Sequence, residues 1–155
     1  MTSDLERRLA EQGLELPPPA APAANYQPYT ISGKLLFVSG QLPLRDGRIA
    51  VGGRLGDGVT LEQGQEAARL CALNILAQAK AACGGDLGRL RHCLKLGGFV
   101  SCTPGFVDHP KVVNGASDLI AGVMGAAGRH ARFAVGCASL PLDAAVEVEA
   151  IFELV

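Results

Sequence analysis

The stretch His130-Ala131-Arg132-Phe133-Ala134-Val135-Gly136-Cys137-Ala138-Ser139-Leu140-Pro141, followed by Val146-Glu147-Val148-Glu149-Ala150, decides how this chain is read. It predicts two β-strands on either side of a Pro/Asp turn. In the second strand, apolar and acidic residues alternate, which sends the valines to one side and the glutamates to the other. Arg132 opens the first strand and Glu147 lies in the alternating run. An arginine and a carboxylate on rigid extended segments can hold an anion and activate a water beside it. Two solvated strand residues would give the same pattern, so these residues alone leave both readings open.

Upstream, the periodicity supplies helices to cover such strands. Thr60 caps a long helix predicted over 61–82, whose apolar stripe runs through Ala67, Leu70, Cys71, Asn74, Ile75 and Ala79. Asn74 falls on that stripe and is read as a hydrogen-bonded core residue. A second helix is predicted over 111–127, with Val112, Val113, Ala116, Leu119, Ile120, Val123 and Met124 inward and Asn114 in its first turn. Its three interior glycines lower its propensity, so packing must hold it. Between the helices, 93–102 reads as a strand with a bulge expected at Gly97-Gly98. Before them, Thr30-Ile31 and Leu35 to Val38 flank Ser32-Gly33-Lys34 as a hairpin, which ends at Ser39-Gly40. Residues 44–60 form a glycine-rich connection with a short strand at 48–51 and no phosphate-loop spacing.

The N-terminus reads differently. Ser3 and Glu6 make a capping box for a short helix over 4–12, and Pro17, Pro18, Pro19 and Pro22 then impose an extended strap. Residues 1–24 are taken as an N-terminal extension and 25–155 as the domain. The element order is β-β-α-β-α-β-β, an α+β architecture with an antiparallel-rich sheet and two helices on one face. Yet Ile151 falls on the face opposite Val146, Val148, Ala150 and Phe152. Both faces of the sheet therefore carry apolar groups, and self-association that buries the second face is expected.

Composition narrows the function. With 48% hydrophobic and 19% charged residues the chain should fold on its own. Its 14 Lys and Arg are scattered and the net charge is −1, which argues against a nucleic-acid partner. The five cysteines (Cys71, Cys83, Cys93, Cys102 and Cys137) are odd in number and include no CxxC, so reduced thiols in a cytoplasmic protein are expected. No ligand spacing accompanies His92-Cys93, and no metal or cofactor is expected. No signal segment or membrane span is read from the chain.

Three markers, over residues 25–154, resemble the YjgF/Rid superfamily of reactive intermediate deaminases. They are Ala131-Arg132 with Leu140-Pro141 and Val146-Glu147-Val148-Glu149 after it, Ser39-Gly40-Gln41-Leu42-Pro43, and Val113-Asn114. Length and wording are most similar to the divergent branch described as "YjgF/chorismate mutase-like, putative endoribonuclease". The resemblance implies a chorismate-mutase-like fold, a homotrimer with an inner barrel, and sites in clefts between subunits. It implies that Arg132 holds a substrate carboxylate and Glu147 positions a water. It further implies that Ser39, Gly40 and Asn114 line the site, together with Phe133, Ala134 and either Tyr26 or Tyr29. Two departures stand out: His130 replaces a frequent Pro, and Ala134 replaces a frequent Cys.

Paired as a hairpin, the last two strands would set Gly136 opposite Glu147, with Arg132 about 13 Å away, too far to share one small ligand within a chain. A crevice between copies is expected instead. The implied reaction is hydrolysis of a 2-imino or enamine acid to a 2-keto acid and ammonia, with no cofactor. The alternatives are a non-catalytic binder of small carboxylates and a ribonuclease or translation inhibitor. The latter is opposed by the absence of a basic stripe and of a histidine pair close in sequence. A chorismate mutase reading is opposed by the single arginine.

Overall fold

This computed structural model describes residues 2–155. The helices are α1 (Asp4–Glu11), α2 (Leu61–Ala82) and α3 (His109–Met124). The strands are β1 (Tyr29–Ser32), β2 (Leu35–Gln41), β3 (Leu44–Arg45), β4 (Arg48–Ile49), β5 (Arg54–Leu55), β6 (Gly58–Val59), β7 (Leu90–Ser101), β8 (Ala131–Cys137) and β9 (Val146–Leu154). Short 3-10 turns fill Leu87–Arg89, Gly125–Gly128 and Pro141–Asp143. The order matches the predicted α+β plan, with the capping boxes at Ser3 and Thr60 both closed.

Five strands form one sheet in the order β1-β2-β9-β7-β8, parallel only between β7 and β8. This corrects the expected pairing of the last two strands. β8 and β9 are not a hairpin, because β7 lies between them and pairs with both. The 3-10 turn and the residues around it carry the chain over the end of β7. β8 is thereby left as an edge strand.

Two boundaries also move. α3 starts two residues earlier than the periodicity predicts, since Pro110 is tolerated in a first helical turn, and it stops at Gly125 with φ of 63°. The bulges in β7 lie at Leu90/His92 and Cys93/Lys95, not at Gly97-Gly98, which stay in register. Those glycines instead make room for Phe133 on one face and Val113 on the other.

α2 and α3 pack together on one face of the sheet. Between helices and sheet lies the core, where Leu36, Leu96, Val100, Val112, Ile75, Ile120 and Phe152 are fully buried. Each such side chain contributes roughly 1.5–3 kcal/mol relative to exposure. Asn74 behaves as read: its amide donates to the carbonyls of Leu42, Leu44 and Leu70. α1 docks on the outer helices, where Glu6 pairs with Lys80 at 2.8 Å and Gln12 donates to the Gly122 carbonyl. The proline strap crosses α2, where buried Gln78 donates to the Ala20 carbonyl at 2.7 Å.

The other sheet face carries no helix. Ladder register places Leu35, Phe37, Phe99, Phe133, Val135 and Ile151 there, with Lys95, Glu147, Glu149 and Glu153 among them. Leu35, Phe37 and Val135 are exposed. Among the described residues, no helix is long and apolar enough to cross a membrane.

Candidate functional site

Arg132 and Glu147 leave the sheet on opposite faces. Arg132 pairs with Leu96, which points into the helix-covered core, while Glu147 pairs with Phe99 on the open face. Two strand spacings and three residues of register separate their Cα atoms, about 14 Å in the plane of the sheet.

The Arg132 guanidinium folds back over the start of α3. Its Nη1 donates to Asn114 Oδ1 at 2.8 Å and to Ser117 Oγ at 3.1 Å, and its Nη2 donates to the Pro110 carbonyl at 3.3 Å. Three acceptors fix the plane of the group. None is a carboxylate, and Arg132 makes no ion pair among the described residues. Its Nε–H and one Nη2 hydrogen remain available for an anion. The predicted Arg132–Asn114 association is therefore direct. Ala134 also lies on this face, partly buried against the core, whereas Phe133 lies on the open face. There its ring meets Phe99 edge-on at 5.2 Å, under the Lys95 ammonium.

Glu147 gathers a second group. A side chain at Gly40 would begin 2.6 Å from Glu147 Oε1, so the glycine is what lets the carboxylate lie across the end of β2. Burial, and then the charge of Glu149, push the Glu147 carboxyl above its ordinary pKa. Its oxygens take no hydrogen bond or ion pair from a described side chain. Next to Gly40, the Ser39 hydroxyl donates to the Gln27 carbonyl at 2.7 Å. The Tyr26 hydroxyl accepts from the Ala23 amide, and the ring is exposed. Tyr29 instead pairs with Val38 and packs against the core. Most of the predicted residues thus fall into two groups, Arg132 with Asn114 and Ala134, and Glu147 with Gly40 and Ser39, while Tyr26, Tyr29 and Phe133 join neither. One chain does not bring the two groups together. Among the described residues, no cluster of three or more His, Cys, Asp or Glu side chains is placed to hold a metal ion.

The model of the family described as "YjgF/chorismate mutase-like, putative endoribonuclease" matches residues 6–154. The chain belongs to this family. Protein TCP17 of Trypanosoma cruzi is 51% identical over 147 residues, covering 94% of this chain and 91% of its own. A crystal structure of a protein with unknown function from Agrobacterium tumefaciens is 56% identical, with a TM-score of 0.92 over 98% of this chain and 93% of that one. A putative endoribonuclease from Shewanella oneidensis is 41% identical, with a TM-score of 0.93 over 97% and 99%.

In this YjgF-family chain the arginine has further support that sequence reading did not assign. His130 Nδ1 lies 2.6 Å from the Gly128 carbonyl, and His130 Nε2 lies 2.8 Å from Ser117 Oγ. A carbonyl only accepts, so Nδ1 carries the proton. In the neutral ring Nε2 then accepts from the Ser117 hydroxyl, whose oxygen is left to receive Arg132. The signal was faint: Ser117 lies one helical turn after Asn114, and His130 stands where the family often has proline.

Proposed function

We propose that the protein is a homotrimer that hydrolyses reactive 2-imino or enamine acids to 2-keto acids and ammonia in crevices between its subunits. The observation that carries this reading is the Arg132 guanidinium, held by three neutral acceptors and lacking a carboxylate of its own. Such a group is preorganised for the carboxylate of a small acid, and its charge is unspent.

Two features support the shared site. Arg132 and Glu147 stand on opposite faces of the sheet, so a second copy is what can set one beside the other. The open sheet face exposes Leu35, Phe37 and Val135, an apolar surface that assembly would cover.

The chemistry is modest. Arg132 would fix the substrate carboxylate. Glu147 from the neighbouring subunit would take a proton from water as its oxygen attacks the imine carbon. The proton held by Glu147 would pass to nitrogen, and the carbinolamine would then collapse, its hydroxyl proton also passing to nitrogen as the C–N bond breaks, the C=O forms and ammonia leaves. An imine is already electrophilic, so positioning the water is the main task. A carboxylate with a raised pKa is the stronger base.

A non-catalytic carboxylate binder is the second reading, favoured by Ala134, which places no thiol beside the arginine. A ribonuclease draws less support. His92 is bound to the Arg129 carbonyl, His109 to Cys102 and His130 to Ser117, in three separate places.

The test is ammonia release from 2-imino acids generated in situ by an amino acid oxidase, with wild type and Arg132→Ala compared. Acceleration by wild type alone supports the deaminase. Carboxylate binding by wild type without acceleration, abolished in Arg132→Ala, moves the reading to the binder. Equal rates and no binding remove both. Sedimentation equilibrium at the trimer mass checks the assembly.

A further inference from the structure

A second constellation lies farther along the same edge strand, and the reading above makes no use of it. Cys102 Sγ stands 3.4 Å from His109 Nε2, a thiol–imidazole contact. It lines a cavity of about 450 Å³ with Arg54, Phe106 and Gly136. Gly136 follows Arg132 by four residues on β8, about 13 Å along the strand.

The pair is held from several sides. Cys102 closes the end of β7, where its amide donates to the Cys137 carbonyl at 3.1 Å. His109 is the first residue of α3, and the Phe106 ring meets its imidazole edge-on at 5.3 Å. Gly136 makes room for both: a Cβ there would lie 2.6 Å from His109 Nε2 and 2.7 Å from Cys102 Sγ.

We infer that Cys102 is a nucleophilic thiol activated by His109, and that this cavity is a covalent site for low-molecular-mass disulfides. The step is thiol–disulfide exchange. The Cys102 proton passes to His109 Nε2, and the thiolate attacks one sulfur of the small disulfide. That S–S bond breaks, one half leaves as thiolate, and the other stays on Cys102 as a mixed disulfide. The small disulfide is the oxidant, and no other is required.

The positive end of the α3 dipole faces the pair. The nearby acids are occupied, Asp57 by Arg54 at 3.2 Å and Asp108 by Lys111 at 3.4 Å. The remaining thiols are less suited. Cys102 is itself buried, as are Cys71, Cys83 and Cys93, but of these four it alone lines the cavity and touches a histidine. Cys137 is more exposed than Cys102, but its Sγ donates to the Val100 carbonyl. Its pKa is raised by burial and then by Cys102 and Glu147.

Exposure alone ranks Cys137 first; the proposal ranks Cys102 first, and this contrast is the test. The full-length native protein is mixed with 5,5′-dithiobis(2-nitrobenzoate), release of the coloured thiolate is followed, and the labelled residue is identified by peptide mass mapping. The expected result is a fast phase of one equivalent on Cys102, absent in Cys102→Ser. In His109→Gln that phase slows at least about tenfold at neutral pH. Gly136→Ala, which keeps both residues but separates them, slows it likewise. Mapping on wild type needs no variant to fold. A fast phase on Cys137, or a Cys102 rate unchanged in His109→Gln, overturns the proposal.

Discussion

Arg132 and Glu147 project from opposite faces of one sheet, with β7 between their strands. This relationship makes a prediction about mixed assemblies. Arg132→Ala and Glu147→Gln should each lose the activity alone. Unfolded, mixed in equal amounts and refolded together, they should regain it. A site with its arginine from one copy and its glutamate from the next is intact when an Arg132→Ala subunit follows a Glu147→Gln subunit, so random closure of a symmetric ring restores about a quarter of the sites. Ammonia release measures the outcome. No recovery on mixing would mean that the two groups do not serve one shared site.

Gly40 and Glu147 lead to a second prediction, on pH. A methyl at position 40 must displace the carboxylate, so Gly40→Ala should lower turnover about as far as Glu147→Gln does, at an overpacking cost of roughly 1–3 kcal/mol in stability. The Glu147 carboxyl is raised above 4.5 by burial and by Glu149. As a base it must be ionised, so turnover should fall as pH drops through that raised value. For stability the sign is the reverse. Folded protein binds this proton more tightly than unfolded chain, so stability declines as pH rises from 4.5 through the raised value. Glu147→Gln should therefore show a higher Tm than wild type at neutral pH and lose the advantage in acid. A Tm difference independent of pH would count against the raised carboxyl.

Helices were legible in the sequence because their signals are local. α2 was bounded by its Thr60 cap and its stripe, and Asn74 could be read as a core group from its place on that stripe. The strands themselves were legible too, but their partners were not. A short Pro/Asp connection between two strands suggests a hairpin, and only long-range pairing through β7 shows otherwise. The same limit applies to the site. Alternation put Glu147 on one face of β9, but whether Arg132 shared that face depended on how β8 sits against β7. Gly97 and Gly98 illustrate it again: a paired glycine suggests a bulge, whereas Phe133 and Val113, distant in the chain, explain both. Ser117, His130, Cys102 and His109 acquire meaning only once α3 lies against β8.

The hydrogen-bond chain behind the arginine makes a third prediction. Ser117 receives Arg132 and donates to His130, whose other nitrogen is fixed by the Gly128 carbonyl. Ser117→Ala removes one acceptor and leaves Asn114, so the guanidinium should stay close but lose its fixed plane. The loss should be about 1 kcal/mol, a roughly five- to tenfold rise in KM or in the Kd of a carboxylate ligand, with kcat little changed. Asn114→Ala should act in the same direction, and the double variant should exceed either, since both acceptors serve one Nη1. A fall in kcat with KM unmoved would assign Ser117 to the chemistry and not to holding the arginine.

At the far side of the molecule, Glu6 ties the N-terminal helix to the domain. One oxygen meets Lys80 Nζ at 2.8 Å, and the other accepts from the Ser3 backbone at 2.9 Å and the Ser3 hydroxyl at 3.1 Å. Lys80, and then the Ser3 amide, hold this carboxyl down at about 2. A lowered carboxyl stabilises above its unfolded value of 4.5, and that contribution is lost as pH falls from there through about 2. Glu6→Gln keeps an acceptor for the Ser3 amide and drops the charge. The partly exposed Lys80 is well solvated, so at neutral pH the substitution should cost no more than about 1 kcal/mol, a Tm lowering of about 2–4 °C. Because Glu6 protonates as pH falls through about 2, the two melting curves should close toward each other there and meet below it. A gap that persists undiminished into acid would mean that shape and capping, not the Lys80 pair, set the contribution of Glu6.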